Sequence, residues 1–387
     1  MMRRFTPIAV LLALSTFAAA QVPANTGGPL VVHEWGTFTS VAGQDGRAVE
    51  WRPLSGPPDL PCFVDRLAFN VKGSLRGKVR METPVLYFYS PHDTTVNVKV
   101  GFRQGLVTEW FPRALVTPGS ADDTTLRRPD FASSISWTDV KVTPGAPADF
   151  RSDSSGSHYY LARQTDASPV RIGSEKERFL FYRGLGNFEP PISATLGADG
   201  SMVITNPSGE AVGDIVVFVN RGGTMAYDVR HVAPAQIRLD SPALDGEFVA
   251  PQAELQKILI AHGLYPREAA AMIETWRDSW FEEGTRLFYI APRQAIDAIL
   301  PLEIAPRPDQ VTRVFVGRVE LVTSTIEREV EAAIARNDRQ TLSRHGRFLQ
   351  PIADRLLARL TPAERERMQA RLEPVYASGS TSPAVCR

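Results

Sequence analysis

The chain has 387 residues, and its 43 basic side chains are balanced by 43 acidic ones. This neutral balance gives no support for binding to nucleic acid or to an acidic membrane surface. A chain of this length buries a sizeable core without difficulty.

The first 20 residues have the pattern of a secretory signal peptide. Arg3 and Arg4 give a short positive region, an apolar stretch covers 8–17, and the small residues 18–20 precede Gln21 as a cleavage site. The apolar stretch is shorter than the roughly 20 residues that span a bilayer, and no later stretch reaches that length without charge. We therefore expect a soluble protein, without a membrane span, that starts at Gln21 in the periplasm or the medium.

The pattern of residues 21–250 predicts a series of short β-strands. Short β-branched and aromatic runs are separated by clusters of Gly, Pro, Asn and Asp. Several short strands without intervening helices favour antiparallel sheets packed as a β-sandwich. The predicted strands are 31–40, 79–90, 95–102, 106–111, 135–142, 178–183, 201–205, 214–220 and 224–232.

The pattern changes near residue 251. Apolar residues at helical spacing, with Pro266 in the first turn, predict an amphipathic helix over 266–283. Strand-like alternation then returns at 286–291 and 311–322, and the chain becomes helical from Ser324 onward. Trp276 and Trp280 share the apolar stripe of the predicted helix, so we assign both to core packing rather than to a platform that stacks on sugars.

These patterns predict an α+β fold, mainly β with an α-rich C-terminal third. The expected organisation is a signal peptide at 1–20, a β-sandwich-like domain over 21–250, and an α/β to helical region over 251–387 packed on it.

The two cysteines, Cys62 and Cys386, lie in a chain that we expect to fold in an oxidising compartment. A disulfide between them would tie the C-terminal tail to the N-terminal domain and contribute up to ~5 kcal/mol in the chain-entropy model. Two unpaired thiols, with Cys62 buried, are the alternative.

Sequence motifs exclude several enzyme classes. His33 and Glu34 open a segment that resembles half of a zinc-protease motif, but position 37 is threonine where the second histidine would stand. The serine-hydrolase elbow, the P-loop and the dinucleotide fingerprint do not occur in the sequence. We therefore expect neither a metal nor a cofactor.

Four segments carry a resemblance to other proteins. They are HEWGTFTS at 33–40, METPVLYFYS at 81–90, FLFYRGLGNF at 179–188 and SWFEEGTRLFYIAPR at 279–293. The chain resembles a group of uncharacterised secreted bacterial proteins that have HEWGTFTS near the mature N-terminus. This resemblance implies export and brings no reaction with it.

Polar residues interrupt the apolar strands. The alternation of a strand places Glu34 on one face with Val32 and Phe38, and places Glu82 on one face with Leu86. If these faces belong to the core, each carboxylate must have a partner or a raised pKa. Arg183, in another apolar strand, is the partner we predict.

These residues supply the candidates for a site. Glu34, Glu82 and Glu109 are the candidate catalytic carboxylates, although a buried Glu–Arg pair that fixes the sheet register, or exposure of the carboxylates, explains them as well. The candidate binding residues are His33, Trp35, Trp51, Trp110 and Arg183. Trp51 and Trp110 lie beside prolines and are the tryptophans expected to be exposed.

Three functions remain. The first is an extracytoplasmic module that binds a glycan or an envelope protein, by analogy with other sandwiches. The second is a hydrolase with two carboxylates, such as a glycosidase, which needs the carboxyl groups ~5 to 9.5 Å apart in a cleft. The third is a structural envelope protein without a ligand.

Overall fold

The structure is a computed structural model that describes residues 28–54, 59–67, 75–197, 199–206, 212–231, 235–244 and 251–378. The predicted signal peptide at 1–20 and Cys386 lie outside these residues. Export and the disulfide between Cys62 and Cys386 therefore stay predictions.

A nine-stranded sheet forms the centre of the fold. Its order is β14 (Thr224–Arg230), β13 (Ile215–Arg221), β16 (Gly284–Ile290), β18 (Gln310–Glu320), β1 (Val31–Val41), β3 (Val79–Tyr89), β10 (Leu180–Gly186), β5 (Gly105–Phe111) and β2 (Asp65–Arg66). β1 and β18 run parallel, whereas the other neighbouring pairs of this sheet are antiparallel. Residues 251–378 thus contribute strands to the central sheet as well as helices around it.

Two smaller sheets accompany the central one. The larger contains β17 (Leu302–Ala305), β4 (Thr94–Arg103), β7 (Ala132–Val142), β8 (Val170–Ile172) and β9 (Glu175–Glu177), with β6 (Leu115–Thr117) also paired to β7. The smaller contains β11 (Ser193–Leu196), β12 (Met202–Thr205) and β15 (Gln236–Leu239).

Most of the helices follow residue 250. One short helix, α1 (Asp123–Leu126), comes earlier. The later helices are α2 (Pro251–Ala261), α3 (Pro266–Trp280), α4 (Arg293–Ile299), α5 (Ser324–Arg336), α6 (Arg339–Arg344), α7 (Leu349–Leu357) and α8 (Pro362–Ser378), and 3-10 turns lie at His158–Arg163 and Gly346–Phe348. The predicted helix over 266–283 is confirmed as α3. The Glu268 carboxylate accepts a hydrogen bond from the Tyr265 N–H at 2.8 Å and so closes the first turn of α3.

Apolar side chains fill both sides of the central sheet. Val32, Leu86 and Trp137 belong to the core between the central sheet and the β4–β7 sheet. Trp35 and Met272 belong to a second core, between the opposite face of the central sheet and the helices α2 and α3. A third cluster lies among α5, α7 and α8. The predicted fold class, mainly β with an α-rich C-terminal third, is confirmed.

The predicted alternation of β3 is wrong at its centre. The register with β1 shifts between Trp35 and Thr37, because β3 carries an extra residue at 83–84. Glu82 is the register partner of Thr37 and lies on the face toward α3, whereas Leu86 lies on the opposite face, between the sheets. Glu82 and Leu86 therefore do not share a face, since the bulge moves the alternation by one residue.

Candidate functional site

The face of the central sheet toward α3 changes character along its length. At one end it is apolar, with Trp35, Val85 and Phe181 packed in the core beneath the helices. At the other end it is charged although it is buried. We call this buried set the charged patch; its members are Arg80, Glu82, Glu109, Arg183, Arg286, Arg318 and Glu320.

Bulges in β3 and β5, the two strands that flank β10, form the boundary between the apolar and charged ends. Thr83, in the bulge of β3, has a left-handed backbone with φ of 46°, which is rare for a β-branched residue. The register between β10 and β5 shifts at Arg183 and Gly184. A Cβ atom at Gly184 would lie 2.5 Å from the Leu106 carbonyl oxygen, so only glycine fits there. Bulges redirect side chains, and strained backbone of this kind concentrates at functional sites.

Glu82 is fully buried between two arginines. Its Oε1 lies 2.8 Å from the Arg80 Nε and accepts a hydrogen bond from Arg347, and its Oε2 accepts one from the Thr39 hydroxyl at 3.2 Å. Burial acts to raise the pKa of Glu82, but Arg347 and Arg80 outweigh it and hold this pKa below its usual value. Glu82 is therefore an ionised carboxylate at neutral pH.

Asp59 connects the charged patch to solvent. The Arg183 guanidinium donates to both of its oxygens, at 2.7 and 3.0 Å, and Arg80 lies 3.3 Å from Oδ2. The Arg183 side chain is only 4% exposed, whereas the Asp59 side chain is 44% exposed. Desolvation acts to raise the pKa of Asp59, but Arg183 and Arg80 hold it far below its usual range.

The network continues beneath the end of α3. Arg318 lies 2.8 Å from a Glu282 oxygen and 3.5 Å from Glu320, which in turn pairs with Arg286 at 2.9 Å. Arg286 also donates to the backbone carbonyls of Glu282 and Glu283, at 2.5 and 2.7 Å. A cation at this position compensates the negative end of the helix dipole.

A cavity of about 330 Å³ opens beside the charged patch, and we call it the arginine cavity. Its wall combines aromatic, hydroxyl and charged side chains: Asp59, Leu60, Thr83, His158, Tyr159, Arg183, Thr275, Trp276, Asp278, Ser279, Glu282 and Arg347. This volume is at the lower end of the range of small-molecule sites.

Two buried donors of the cavity wall have no hydrogen-bond partner among the described residues: the Trp276 Nε1–H and the Arg183 Nε–H. Both side chains are at most 5% exposed. Both nitrogen atoms are themselves inaccessible, so the unmatched donors cost the fold about 1–3 kcal/mol each and do not face a ligand in the cavity.

His158 and Asp278 form an ion-pair geometry on the rim of the cavity. The His158 Nε2 lies 3.2 Å from an Asp278 oxygen, and its Nδ1 lies 3.2 Å from the Thr275 carbonyl oxygen. With Nδ1 donating to the carbonyl, Nε2 carries a hydrogen toward Asp278 only when the imidazole is protonated.

A larger cavity, of about 840 Å³, lies beside the start of α5. It also contains arginines, but Glu327 pairs with Arg355 at 3.0 Å and with Arg359 at 2.8 Å. The described residues of its wall include no aromatic side chain, whereas the arginine cavity combines Trp276 and Tyr159 with charged groups, so the arginine cavity is the stronger candidate.

Glu34 is sealed in the core and is not part of the cavity wall. It accepts hydrogen bonds from the Tyr182 hydroxyl at 2.6 Å and from the Arg313 guanidinium, which stands opposite it on β18. Arg313 also lies 2.6 Å from Asp297. The prediction that Glu34 is buried with a cationic partner is confirmed, but Arg183 is not that partner, because Arg183 lies on the opposite face of the sheet and pairs with Asp59.

Glu109 lies in the charged patch, where it is the register partner of Arg183 and accepts a hydrogen bond from the Thr108 hydroxyl. Glu109 does not line the arginine cavity. Trp110, beside it, is half-buried against the core between the sheets. The expectation of an exposed Trp110 is therefore wrong, because its side chain packs toward the interior of the sandwich.

The other predicted binding residues are buried. His33 is 1% exposed and its Nδ1 lies 2.7 Å from a Glu268 oxygen. Trp35 packs beneath the helices. The expectation of an exposed Trp51 is wrong, because its ring stacks on Phe348 at 5.5 Å in the cluster formed by the C-terminal helices.

Sequence reasoning missed most of the cavity wall. Asp59, His158 and Arg347 come from loops and turns that carry no motif. Trp276 was assigned to core packing, and it is buried, but it also lines the cavity. One signal was available: Pro84 within a strand indicates a bulge.

Neither a cluster of potential metal-binding side chains nor a membrane-spanning helix is found in the described part of the chain. No group of three or more His, Cys, Asp or Glu side chains is placed there to hold a metal ion. None of the helices described there is long and apolar enough to cross a membrane.

No family model matches the sequence, and no curated protein matches it. Two solved structures similar to this chain are the mu-homology domain of yeast delta-COP-I and the same domain in complex with a Dsl1 WxWxV peptide. Each is 9% identical with a TM-score of 0.25, and each alignment covers 78% of this chain and 98% of that one. At this TM-score the similarity carries no argument about function.

Proposed function

We propose that this protein is an exported binding module whose arginine cavity holds a small glycan ligand of the cell envelope. The observation that carries the proposal is the combination, in the wall of one cavity, of the aromatic side chains Trp276 and Tyr159 with polar side chains such as Ser279 and Arg183. Sugar hydroxyls supply acceptor oxygens, and the aromatic rings of Trp276 and Tyr159 supply apolar surface. Glycan sites combine these two kinds of contact.

The electrostatics favour binding over hydrolysis. A glycosidase needs one carboxylic acid that is protonated near neutral pH so that it can donate a proton to the leaving group. Arg347 and Arg80 hold the pKa of Glu82 below its usual value, and Arg183 and Arg80 hold the pKa of Asp59 far below its usual range. Glu34 is sealed away from the cavity. These carboxylates therefore suit charge pairing rather than acid catalysis.

The test compares two tryptophans of the same helix. Trp276 lines the cavity, whereas Trp280, one turn further along α3, is 0% exposed in the core. Titration calorimetry of the protein with neutral and acidic oligosaccharides should detect binding. Trp276→Phe should weaken it by about 2-fold to 10-fold, because the smaller ring leaves less apolar surface against the sugar. Trp280→Phe should leave the dissociation constant unchanged.

Binding that both variants retain equally would overturn the assignment of this cavity. A protein that binds none of the oligosaccharides would overturn the glycan proposal and would favour a structural envelope protein.

A further inference from the structure

The larger cavity beside the start of α5, which we call the α5 cavity, has a wall rich in arginine. The described residues of this wall include four arginines: Arg221, Arg328, Arg355 and Arg359. They include two carboxylates, those of Asp199 and Glu327. Four positive charges against two negative ones leave an excess of two positive charges in the described part of the wall.

Both carboxylates of the wall are already paired. Glu327 is shared by Arg355, at 3.0 Å, and Arg359, at 2.8 Å. Asp199 pairs at 2.6 Å with Arg238, which lies outside the wall. Neither carboxylate is therefore free to pair with the two remaining arginines of the wall.

Arg221 is half-buried in β13 and donates only to neutral oxygen atoms of the described residues. These acceptors are the Thr285 hydroxyl at 3.0 Å, the Asn220 carbonyl at 3.2 Å and the Thr323 hydroxyl at 3.4 Å. A partly desolvated guanidinium without a paired counter-charge favours an anion within its reach.

The carboxylates outside the wall compensate Arg221 only in part. Burial lowers the pKa of Arg221 below its usual value, although three glutamates act to raise it. They are Glu283, Glu320 and Glu329, and none of them lines the cavity. Glu320 already pairs with Arg286 at 2.9 Å. Their attraction does not offset the cost of burying the guanidinium.

Guanidinium groups from three elements, β13, α5 and α7, meet at segment 322–325, where α5 begins. They donate to the Thr323 hydroxyl (Arg221, 3.4 Å), the Thr325 hydroxyl (Arg328, 3.3 Å) and the Val322 carbonyl oxygen (Arg355, 3.4 Å). The positive charges are thus gathered around one short segment of the wall.

The first turn of α5 adds further donors to this segment. Thr323 caps the helix by accepting a hydrogen bond from the Ile326 N–H at 3.3 Å. The N–H groups of Ser324 and Thr325 have no partner within the helix, and both residues line the cavity. Their partial positive charge adds to that of the arginines.

The size and geometry of this charge indicate a phosphate group. A phosphate monoester carries about 1.5 to 2 negative charges at neutral pH, which matches the excess. Guanidinium forks pair well with phosphate oxygens. The cavity volume of about 840 Å³ leaves room for an organic part. The described wall includes no aromatic side chain on which a nucleotide base could stack.

We infer that the α5 cavity binds a small phosphate monoester, whose phosphate group contacts Arg221, Arg328 and the first turn of α5. The α5 cavity and the arginine cavity have no described wall residue in common. Phosphate binding is therefore independent of the proposed glycan binding.

The experiment compares glycerol 3-phosphate, glycerol and inorganic phosphate by titration calorimetry at pH 7 and low salt. Glycerol 3-phosphate should bind at least about 10-fold more tightly than glycerol, because only the ester carries the phosphate charge. Inorganic phosphate should bind about 3-fold or more weakly than the ester, because it makes no contact through an organic part. Inorganic phosphate bound as tightly as the ester would assign the site to free phosphate and overturn the assignment to an ester.

Two exposed arginines of the same helix provide a matched pair of variants. Arg328 lines the cavity, whereas Arg336 lies in the last turn of α5. Arg328→Gln should weaken binding of the ester by about 2-fold to 5-fold, and Arg336→Gln should leave the dissociation constant unchanged.

Arg221→Gln should have the larger effect. Its half-buried guanidinium is screened less by water, so the variant should weaken binding of the ester by about 10-fold to 100-fold. Thermal unfolding confirms that each variant is folded. The Arg328 and Arg336 variants are on the surface, so the test does not depend on the folding of Arg221→Gln.

Equal affinity for the ester and glycerol, or no binding of either phosphate compound, would overturn this inference and leave the glycan-binding proposal standing. Equal weakening in Arg328→Gln and Arg336→Gln would also overturn it, because the attraction would then come from the general charge of the surface. Trp276→Phe should bind the ester as the wild-type protein does. Weaker binding in that variant would place the phosphate in the arginine cavity instead.

Discussion

Buried ionised side chains explain much of the residue-scale behaviour of this protein. Glu34 and Arg313 are both 0% exposed in their side chains and form a pair between neighbouring strands. The parallel register of β1 and β18 places these two residues opposite each other. Removing one partner of a buried pair leaves an uncompensated charge, which costs about 3–5 kcal/mol. Glu34 therefore stabilises the register of the sheet and does not bind a ligand.

The Glu34 pair gives the first prediction. Glu34→Gln should lower the free energy of unfolding by about 1–3 kcal/mol, because a charge-assisted hydrogen bond is weakened and Arg313 is left undercompensated. Urea denaturation measures the change. In a double-mutant cycle, Arg313→Met should show a coupling with Glu34→Gln of about 0.5–3 kcal/mol, whereas Arg183→Met should be additive. Unchanged or raised stability in Glu34→Gln would contradict the structural role.

At the scale of the elements, the bulge in β3 decides which side chains reach the charged patch. The extra residue at 83–84 turns Glu82 toward α3, where Arg347 from the turn Gly346–Phe348 meets it. Thr83 has a left-handed backbone within this bulge. Such a conformation costs about 1–3 kcal/mol for a residue with a side chain, and the surrounding sheet has to hold it in place.

The strain at Thr83 gives a prediction with a control in the neighbouring strand. Thr83 and Thr37 are both buried, but only Thr83 has a positive φ. Replacement of Thr83 by glycine relieves strain, so Thr83→Gly should cost about 1–2 kcal/mol less stability than Thr37→Gly. Urea unfolding of the two variants measures the difference. Equal losses would show that the left-handed backbone stores no strain.

At the scale of the whole molecule, the charged patch joins parts of the chain that are far apart in sequence. Ion pairs connect Asp59 with Arg183, Glu82 with Arg347, and Arg286 with Glu320. The pairs cross strands from β16 to β10 and extend into the C-terminal helices. Since the pKa values of Glu82 and Asp59 are held below their usual values, stability should depend on keeping these carboxylates ionised.

This dependence predicts the response to acid. A carboxylate whose pKa is lowered in the folded state stabilises the fold fully at pH values above its unfolded-state pKa. This contribution is lost as the pH falls from the unfolded-state pKa to the folded-state pKa. The wild-type protein should therefore lose stability below about pH 4.5 more steeply than Glu82→Gln, by up to about 1.4 kcal/mol per pH unit. Thermal unfolding between pH 7 and pH 2 measures both slopes.

A surface carboxylate provides the control for the acid experiment. Glu303, exposed on β17, makes no comparable buried pair in the described structure. Glu303→Gln should stay within about 0.5 kcal/mol of the wild-type stability at pH 7. If Glu82→Gln and the wild-type protein lost stability in parallel as the pH fell, the assignment of an ionised, stabilising Glu82 would be wrong.

The sequence by itself determined what depends on local periodicity. Strand alternation and helical spacing follow from backbone geometry, so the β-rich body and helix α3 could be predicted without any knowledge of contacts. The same alternation identified Glu34 and Glu82 as carboxylates that need partners, because ionised groups in a core have to be paired.

Only the tertiary structure decided which groups meet. Arg313 pairs with Glu34 although 279 positions separate them, and Arg347 pairs with Glu82 across 265. These pairings depend on strand order, on parallel or antiparallel register and on one extra residue in β3, and one residue of slip moves every later side chain to the opposite face. The arginine cavity belongs to the same class of feature, because loops, a strand bulge and helix α3 form its wall together.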